Sequence, residues 1–585
     1  MPGTEVTPGR EPVQFVEIRQ PLCSRTFGVA PCMATGTADQ KCYNTRKSCR
    51  DPANFALGTP MALVFSRGGV AEQGVTGASY VFPALLSVTT APTRINLAGS
   101  NPDAKGIGNR AVCTVTLADF QHTDRLVDPY VAGRSWNPLA ADRGTFWTRW
   151  LARNPYRQNI EMVVYDGYAG QALSAMVKRT YFLQDANLSG DKMTITGKDV
   201  LARVEDRKAQ APLASPGVLQ TDIGFAATSF EATNAVLADY PATGTLRIGN
   251  ECMTYTGRAT TANGVTFTGV SRGTDNTTAE DHSAEDGIQL CLRWHRTPLV
   301  DVYEELLSDF SGVATAWLDL AGWHVEADSY LSFYDLTGLV TEPTAVVDLL
   351  SEIQIQTVSY LWWDERVALV KLKAVRGIEE LPPLLTDAAH IIEDAFSISE
   401  KPRERASQVW VSWGQVDPTK GVEDIGNYTA TSVFADIGSE ADIKYGEPSI
   451  RKVFARFLPS GAQADTTASK IITRYVETPS EVQFAMDAKD RAYWVGDTVQ
   501  ISHWRDVDVF GARRIRTWTI VSAEETLPGE VVQYGAEDTT LSGRIAFVMA
   551  AGAAGYPGSS APFKNAYIGD AAGLLSDGTN CARIN

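Results

Sequence analysis

Short apolar runs, several alternating with polar residues at period two, recur between residues 61 and 213. MALVFSRG, RAVCTVTLADF, NIEMVVYDGY, RTYFLQDA and KMTITGKDV predict strands, bounded by Gly, Asn or Asp. GTFWTRWLARNP between them predicts a short helix that Pro155 helps to end. After the linker-like PLASPG, residues 214–297 read as a small all-β insert built on GTLRIGNECMTYTG, GVTFTGVSRG and DGIQLCLRW.

The second half reads as α+β, in two units at 298–400 and 401–545. DVYEELLSDF places Val302, Leu306 and Phe310 on one helical face. TAVVDLLSEI does the same with Val346, Leu349, Leu350 and Ile353, after Pro343 and an expected Thr344 N-cap. TVSYLWWDERVALVKLKAV predicts a hairpin turning near Asp364-Glu365. SQVWVSWG, EVQFAMDAKD and DTVQISHW continue the strands, and TTASKIITRYVE predicts a helix. Residues 546–585 form a Gly/Ala-rich extension. Residues 1–60 stand apart, with few obvious strands and Cys23, Cys32, Cys42 and Cys49 close together.

Length and charge narrow the function. A chain of 585 residues exceeds one domain and predicts roughly three to five units. With 44% hydrophobic and 21% charged residues, it is a folding chain rather than a disordered one. No apolar run is long enough for a membrane helix. The first residues, MPGTEVTPGREP, lack the apolar core of a secretory signal, so synthesis in the cytoplasm is expected. A formal charge of −17 disfavours gripping nucleic acid, which needs compensating cations. An acidic wall that lets DNA pass without sticking is compatible with it.

The cysteine spacing is C-x8-C-x9-C-x6-C. Two disulfides are disfavoured in a reducing cytosol. Structural zinc usually uses C-x2–4-C knuckles, which are missing. An iron–sulfur cube takes four thiolates from separated loop positions, and Lys41, Arg46, Lys47 and Arg50 lie beside Cys42 and Cys49 to offset its negative charge. Spacing alone leaves unliganded or disulfide-bonded cysteines, zinc and iron–sulfur open. Cys113, Cys252, Cys291 and Cys581 are scattered, and Cys252 and Cys291 read as small buried hydrophobes.

Other motifs carry no catalytic reading. Gly269-Val-Ser271-Arg-Gly273 matches G-x-S-x-G but sits between β segments rather than on a strand-to-helix elbow. His282, beside Asp281, reads as a loop or surface histidine. Gly106-Ile-Gly108 lacks the third glycine of a dinucleotide fingerprint. Glu304-Glu305 and Asp364-Glu365 read as solvated surface, because adjacent carboxylates on a helix point apart. The tryptophans, among them Trp147, Trp150, Trp362, Trp363, Trp410, Trp413 and Trp494, read as core or subunit contacts. His122, His295, His324, His390 and His503 show no ligand spacing. No catalytic residue is assigned, and the chain is expected not to be an enzyme.

The stretch FVEIRQPLCSRTFGVAPCMA…KCYNTRKSCRDPANF resembles the cysteine-bearing segment of siphophage tail-tip and gene-transfer-agent hub proteins. The resemblance continues through LSVTTAPTRINLAG, VTLADFQHTDRLVDPYV, RGTFWTRWLARNPY and ITGKDVLARVEDRKAQAPLASPGVL. GTLRIGNECMTYTG…FTGVSRGTDNTTAEDH is similar to a small β domain inserted in such proteins, and SISEKPRERASQVWVSWG and YWVGDTVQIS resemble the later hub domains. It covers most of residues 15–545.

The resemblance implies a mainly β, multidomain fold with tail-tube-like β-barrel hub domains. It implies a homotrimer at the distal tip of a non-contractile tail, continuing the tube for DNA passage. Implied partners are the distal tail protein, the tape-measure protein, a central fibre or receptor-binding proteins, and the host envelope at infection. By the same resemblance Cys23, Cys32, Cys42 and Cys49 would ligate a 4Fe–4S cluster, with zinc as the alternative, acting as a structural staple. Two rival readings are a host-surface adhesin using the insert and a tail-associated cell-wall or capsule hydrolase.

Overall fold

The computed structural model describes residues 9–69, 80–97, 107–375 and 382–539. The expected Gly/Ala-rich extension, Gly106 and Cys581 lie outside them. The fold is mostly β and is divided among several sheets.

The first sheet has eight strands: β1 Pro12–Gln20, β2 Met61–Ser66, β3 Val81–Phe82, β4 Leu85–Ala91, β5 Val112–Ala118, β6 Glu161–Tyr168, β7 Val177–Ser189 and β8 Lys192–Lys198. Their order is β3-β2-β1-β6-β7-β8-β5-β4, so β3 and β4 are the ends of a half-barrel. The sequence reading put few strands in residues 1–60, yet β1 lies inside the sheet, with Val16 opposite both Phe65 and Val164. The reason is burial on both faces. Val16 and Ile18 face one core and Val13 and Phe15 another, which erases the alternation of a half-exposed strand. The cysteine segment is therefore a long loop between β1 and β2, and the boundary at 60 does not separate it from the sheet.

Helix α1, Phe146–Arg153, covers one face of this sheet. Its Thr145 N-cap accepts from the Thr148 N–H, and it stops at Arg153, two residues before Pro155. Phe146, Trp147 and Trp150 pack against Phe65, Val115 and Ile195. Each buried indole finds an acceptor: Trp147 Nε1 donates to the Ala118 carbonyl at 3.1 Å and Trp150 Nε1 to Gln20 Oε1 at 2.8 Å.

Two four-stranded sheets between residues 218 and 290 share their own core of Leu219, Phe230, Leu246, Met253, Tyr255 and Phe267. A larger core gathers helices α2 Leu299–Ser308, α3 Leu320–Glu326, α4 Val346–Thr357 and α5 Gly461–Tyr475. Helix α4 has Ala345, not Thr344, at its N-cap, because residues Thr344–Ala345 bridge to Gln210–Ala211 instead. Helix α5 and the sheet of strands 428–435, 408–415 and 450–455 also join this core.

The last sheet has six strands, and two of them, Leu384–Thr386 and Ser397–Glu400, come from the segment ending at residue 400. The boundary expected at 400 thus cuts through one sheet. This sheet also grips the half-barrel. The Ile95 N–H donates to the Val521 carbonyl at 2.9 Å, Tyr168 donates to the Gly529 carbonyl at 2.7 Å, and Arg94 pairs with Glu481 at 2.7 Å.

Two carboxylates expected at the surface are not there. Glu365 is buried at the tip of the hairpin 359–374, its carbonyl accepting from Thr180 at 2.9 Å. Burial, then the charge of Asp364, pushes its carboxyl up to about 7, against the influence of Arg179. The tip is buried because the hairpin inserts Trp363 beneath β7, where Nε1 donates to the Thr180 carbonyl at 3.1 Å. Glu305 is half-buried on α2 and accepts from Trp294 Nε1 at 2.8 Å.

Candidate metal centre

Residues 21–60 lie wholly within the described residues, and among them Phe27, Ala34 and Thr45 are the buried ones. Such a loop has no core of its own. Its backbone is instead tied down by polar contacts, cysteine by cysteine.

Cys23 bridges to Leu57, and its N–H donates to the Asn44 carbonyl at 2.7 Å. Asn44, at a φ of 55°, returns a bond from Nδ2 to the Cys23 carbonyl at 3.2 Å and accepts from Cys42 Sγ at 3.3 Å. One asparagine in the left-handed region thereby links two of the cysteines. The Cys32 N–H closes a turn on the Val29 carbonyl at 2.9 Å, and the next residue, Met33, donates to Asp51 at 2.7 Å. Cys49 follows a turn in which the Ser48 hydroxyl accepts from the Tyr43 N–H at 2.9 Å.

The loop rests on residues 124–153. Arg134 is the centre of that contact. Its Nη1 donates to the carbonyls of Ala38, Asp39 and Lys41 at 3.0, 3.1 and 2.9 Å, and its Nη2 to that of Cys42 at 3.3 Å. Tyr130 accepts from the Phe27 N–H at 2.8 Å and lies under Lys41 Nζ, 5.1 Å from the ring centre. The Tyr43 ring is sandwiched by Arg134 at 4.3 Å and Arg153 at 4.0 Å. No spacing rule singles out Arg134, Asp128 or Tyr130. The signal for Arg134 is geometric, since a buried guanidinium must satisfy five donors.

All four N-terminal cysteines are free thiols and half-buried. Burial raises the Cys42 thiol pKa, and the charges of Cys49, Cys32 and Cys23 raise it further, partly offset by Asn44. Cys42, Cys32 and Cys23 raise Tyr130 as well, after burial. Cys42 therefore lies within electrostatic reach of the other three thiols. Among the described residues, no three of His, Cys, Asp or Glu stand close enough to enclose a single metal ion.

The remaining candidates fall elsewhere. Cys113 is buried in β5, and Cys252 and Cys291 pack together against Leu339. Ser271 lies in the short strand Ser271–Thr274, between the turn glycines Gly269 and Gly273, with no helix following. His282 is not a surface residue. It is buried, with Nε2 2.9 Å from Glu251 Oε2. Glu251 has no solvent exposure and also accepts from Arg272 Nε and Nη2, both at 2.7 Å, and from the N–H groups of Gly273 and Glu280 at 2.8 and 3.1 Å. Burial would raise this carboxyl, but Arg272, the two amides and His282 overcome it and hold the pKa at about 2. This is a fully bonded structural knot, with Glu251, the Arg272-Gly273 turn and His282 drawn together by one carboxylate.

No protein-family model matches the chain, and no curated protein matches it. The solved structures it resembles include phage tail proteins. The prophage MuSo2 43 kDa tail protein from Shewanella oneidensis aligns over 78% of this chain and 97% of its own, at 10% identity and a TM-score of 0.35. A tail protein from Neisseria meningitidis MC58 aligns over 77% and 97%, at 8% identity and a TM-score of 0.33. A protein of the native gene transfer agent virion aligns over 41% of this chain and 47% of its own, at 14% identity and a TM-score of 0.27.

Proposed function

We propose that the chain is a structural hub of a non-contractile phage tail tip, stapled at its N-terminal loop by an iron–sulfur cluster on Cys23, Cys32, Cys42 and Cys49. The observation that carries this is the loop itself. Ordering each residue costs about 1–2 kcal/mol of conformational entropy, and a stretch burying Phe27, Ala34 and Thr45 offsets little of it through apolar contact. A metal staple supplies what a core cannot.

The donor set favours a cube over zinc. Tetrahedral zinc at about 2.3 Å from sulfur needs its thiolates about 3.8 Å apart. Cys42 lies within electrostatic reach of the other three thiols, yet among the described residues no three such groups gather around one ion, which suits a cluster in which each thiolate takes its own iron. Lys41, Arg46 and Lys47 then balance the anionic cluster, and Arg134 holds the backbone that presents Cys42. When bound, the cluster supplies cross-linking. No redox step is assigned to it.

On this reading the half-barrel continues the tail tube in a homotrimeric ring at the distal tip of the virion. It meets the distal tail and tape-measure proteins on one side and a fibre or receptor-binding proteins on the other. The chain is made in the host cytoplasm, and DNA passes an acidic chain of net charge −17 without being held. The role is non-enzymatic. Chemical analysis of anaerobically purified protein tests the staple: iron and acid-labile sulfide with broad absorption near ~400 nm are expected. Stoichiometric zinc in colourless protein would replace the cube by the tetrahedral alternative. Gold-labelled antibody on purified particles tests the location, and label away from the distal tail would refute it.

A further inference from the structure

A half-buried histidine sits where one end of the half-barrel is pinned. β3 is an end strand, held to β2 by two residue pairs, Val64 with Val81 and Phe65 with Phe82. So short a strand depends on its side-chain contacts as much as on its ladder. Phe82 packs on the His122 ring with centres 5.5 Å apart. The same ring meets Phe120 at 6.0 Å and Phe146 of α1 at 5.4 Å. His122 therefore completes an aromatic cluster that joins β3 to α1.

Its hydrogen bonding fixes its charge. Nδ1 accepts from the Asp124 N–H at 3.1 Å. A ring nitrogen that accepts carries no proton, so this imidazole is neutral, with its proton on Nε2. Asp124 is buried at a φ of 59° and divides its carboxylate between two arginines of α1. Oδ1 accepts from Arg149 Nε at 3.2 Å and Oδ2 from Arg153 Nη2 at 2.5 Å. Arg149 Nη2 also donates to the His122 carbonyl at 2.6 Å. The charged groups facing the ring are thus Asp124 on its own loop and Arg149 and Arg153 on α1. From the β3 side comes only the phenol of Tyr80, whose ring lies 4.7 Å from that of Phe82. A second proton would set an Nδ1–H against the Asp124 N–H, beside a carboxylate already shared by two guanidinium groups. Burial lowers the ring's pKa from its ordinary 6.5; Asp124 opposes this, and Arg149 and Arg153 add to it.

We infer that His122 is an acid-sensitive catch: its neutral ring holds β3 and the loop 120–128 against α1, and its protonation releases them together. The catch works with or without a cluster in the cysteine loop. An unfolded histidine takes its second proton near 6.5, whereas the held ring takes it only at lower pH. The catch is therefore fully closed above about pH 6.5 and weakens as pH falls below it. What it frees is one of the two ends of the half-barrel.

Hydrogen exchange of the full chain at about pH 7.5 and about pH 5.5, corrected for intrinsic rates, tests this, with thermal melting at the higher pH to confirm folding. In wild type the amides of residues 81–84 and 120–128 are expected to open up to about tenfold more at the lower pH, the most that an unfolded pKa of 6.5 allows when the held ring takes no proton. β6 and β7 should show no such loss. His122→Asn keeps an acceptor where Nδ1 stands, and His122→Phe keeps the aromatic packing; neither can take the proton. Both are expected to show no acid response at these amides. Glu365 titrates over the same range, so the difference between wild type and variant reads the catch. Should a variant fail to fold, the localisation of the loss in wild type decides by itself. Wild-type protection of 81–84 and 120–128 that is equal at both pH values would overturn the proposal. So would a folded variant responding like wild type, or a loss shared equally by β6 and β7.

Discussion

Arg134 and Asp128 form an ion pair from which solvent is excluded on both sides, with Nε to Oδ2 at 2.9 Å and Nη2 to Oδ1 at 3.1 Å. Asp128 fixes the guanidinium, and the guanidinium fixes the backbone of residues 38–42. A bidentate fork does this where an ammonium could not.

Arg134→Met therefore leaves Asp128 buried and unpaired. The expected cost is about 3–5 kcal/mol, felt first in the loop. Hydrogen exchange should show the amides of residues 23–58 losing protection while those of β6 and β7 keep theirs. Uniform loss across both would mean that Arg134 supports the whole half-barrel and not the loop.

Glu251 gives a second, separable lesion. Glu251→Ala strands Arg272 and His282 in the insert and is expected to cost about 3–5 kcal/mol there. The wild-type carboxyl has a folded pKa of about 2 against 4.5 unfolded, so its stabilisation is complete above about 4.5 and is lost as pH falls towards about 2. Acid melts followed by exchange should show residues 218–290 of wild type weakening over that window. In the variant this pH dependence should be gone.

Glu365 works in the opposite direction. Its folded pKa of about 7 lies above the unfolded 4.5, so the folded state binds the extra proton and stability falls as pH rises from about 4.5 to about 7. Glu365→Gln keeps the shape without the charge. Its melting temperature should gain on wild type at pH 8 and match it at pH 5. Equal differences at both pH values would place Glu365 in water.

Trp147 has no solvent exposure, stacks on Phe65 with ring centres 5.3 Å apart, and joins α1 to the sheet. Trp147→Ala is expected to cost about 3–5 kcal/mol in denaturant unfolding. A loss below 1 kcal/mol would contradict the packing described.

Elements whose apolar period matched one buried face were legible in the chain. The strands around Val112 and Lys192 and the helix before Pro155 are of this kind, whereas those around Met61 and Glu161 are buried on both faces and were legible as apolar β-rich runs. β1 was not legible, because its two buried faces also carry Gln14 and Glu17, which bond to Asp166 and Tyr165, and leave neither an alternation nor an apolar run. Contacts between distant residues were also hidden. Nothing local marks Glu365 as buried, since its surroundings are β7 and Arg179. Likewise His282 looks like a loop residue until Glu251 is folded against it. The four cysteines could be picked out by number and proximity, but Arg134, which holds their loop, is one arginine in a run without periodicity.

The staple is the central claim, and metal analysis paired with one substitution tests it most directly. Anaerobic wild-type protein should contain iron and labile sulfide in equal amounts, about four of each per chain. Cys42→Ser should lose that absorption, and the loop's exchange protection should fall with it while β6 and β7 remain protected. Wild-type protein free of iron and sulfide, with a loop no more protected than that of the serine variant, would contradict the account.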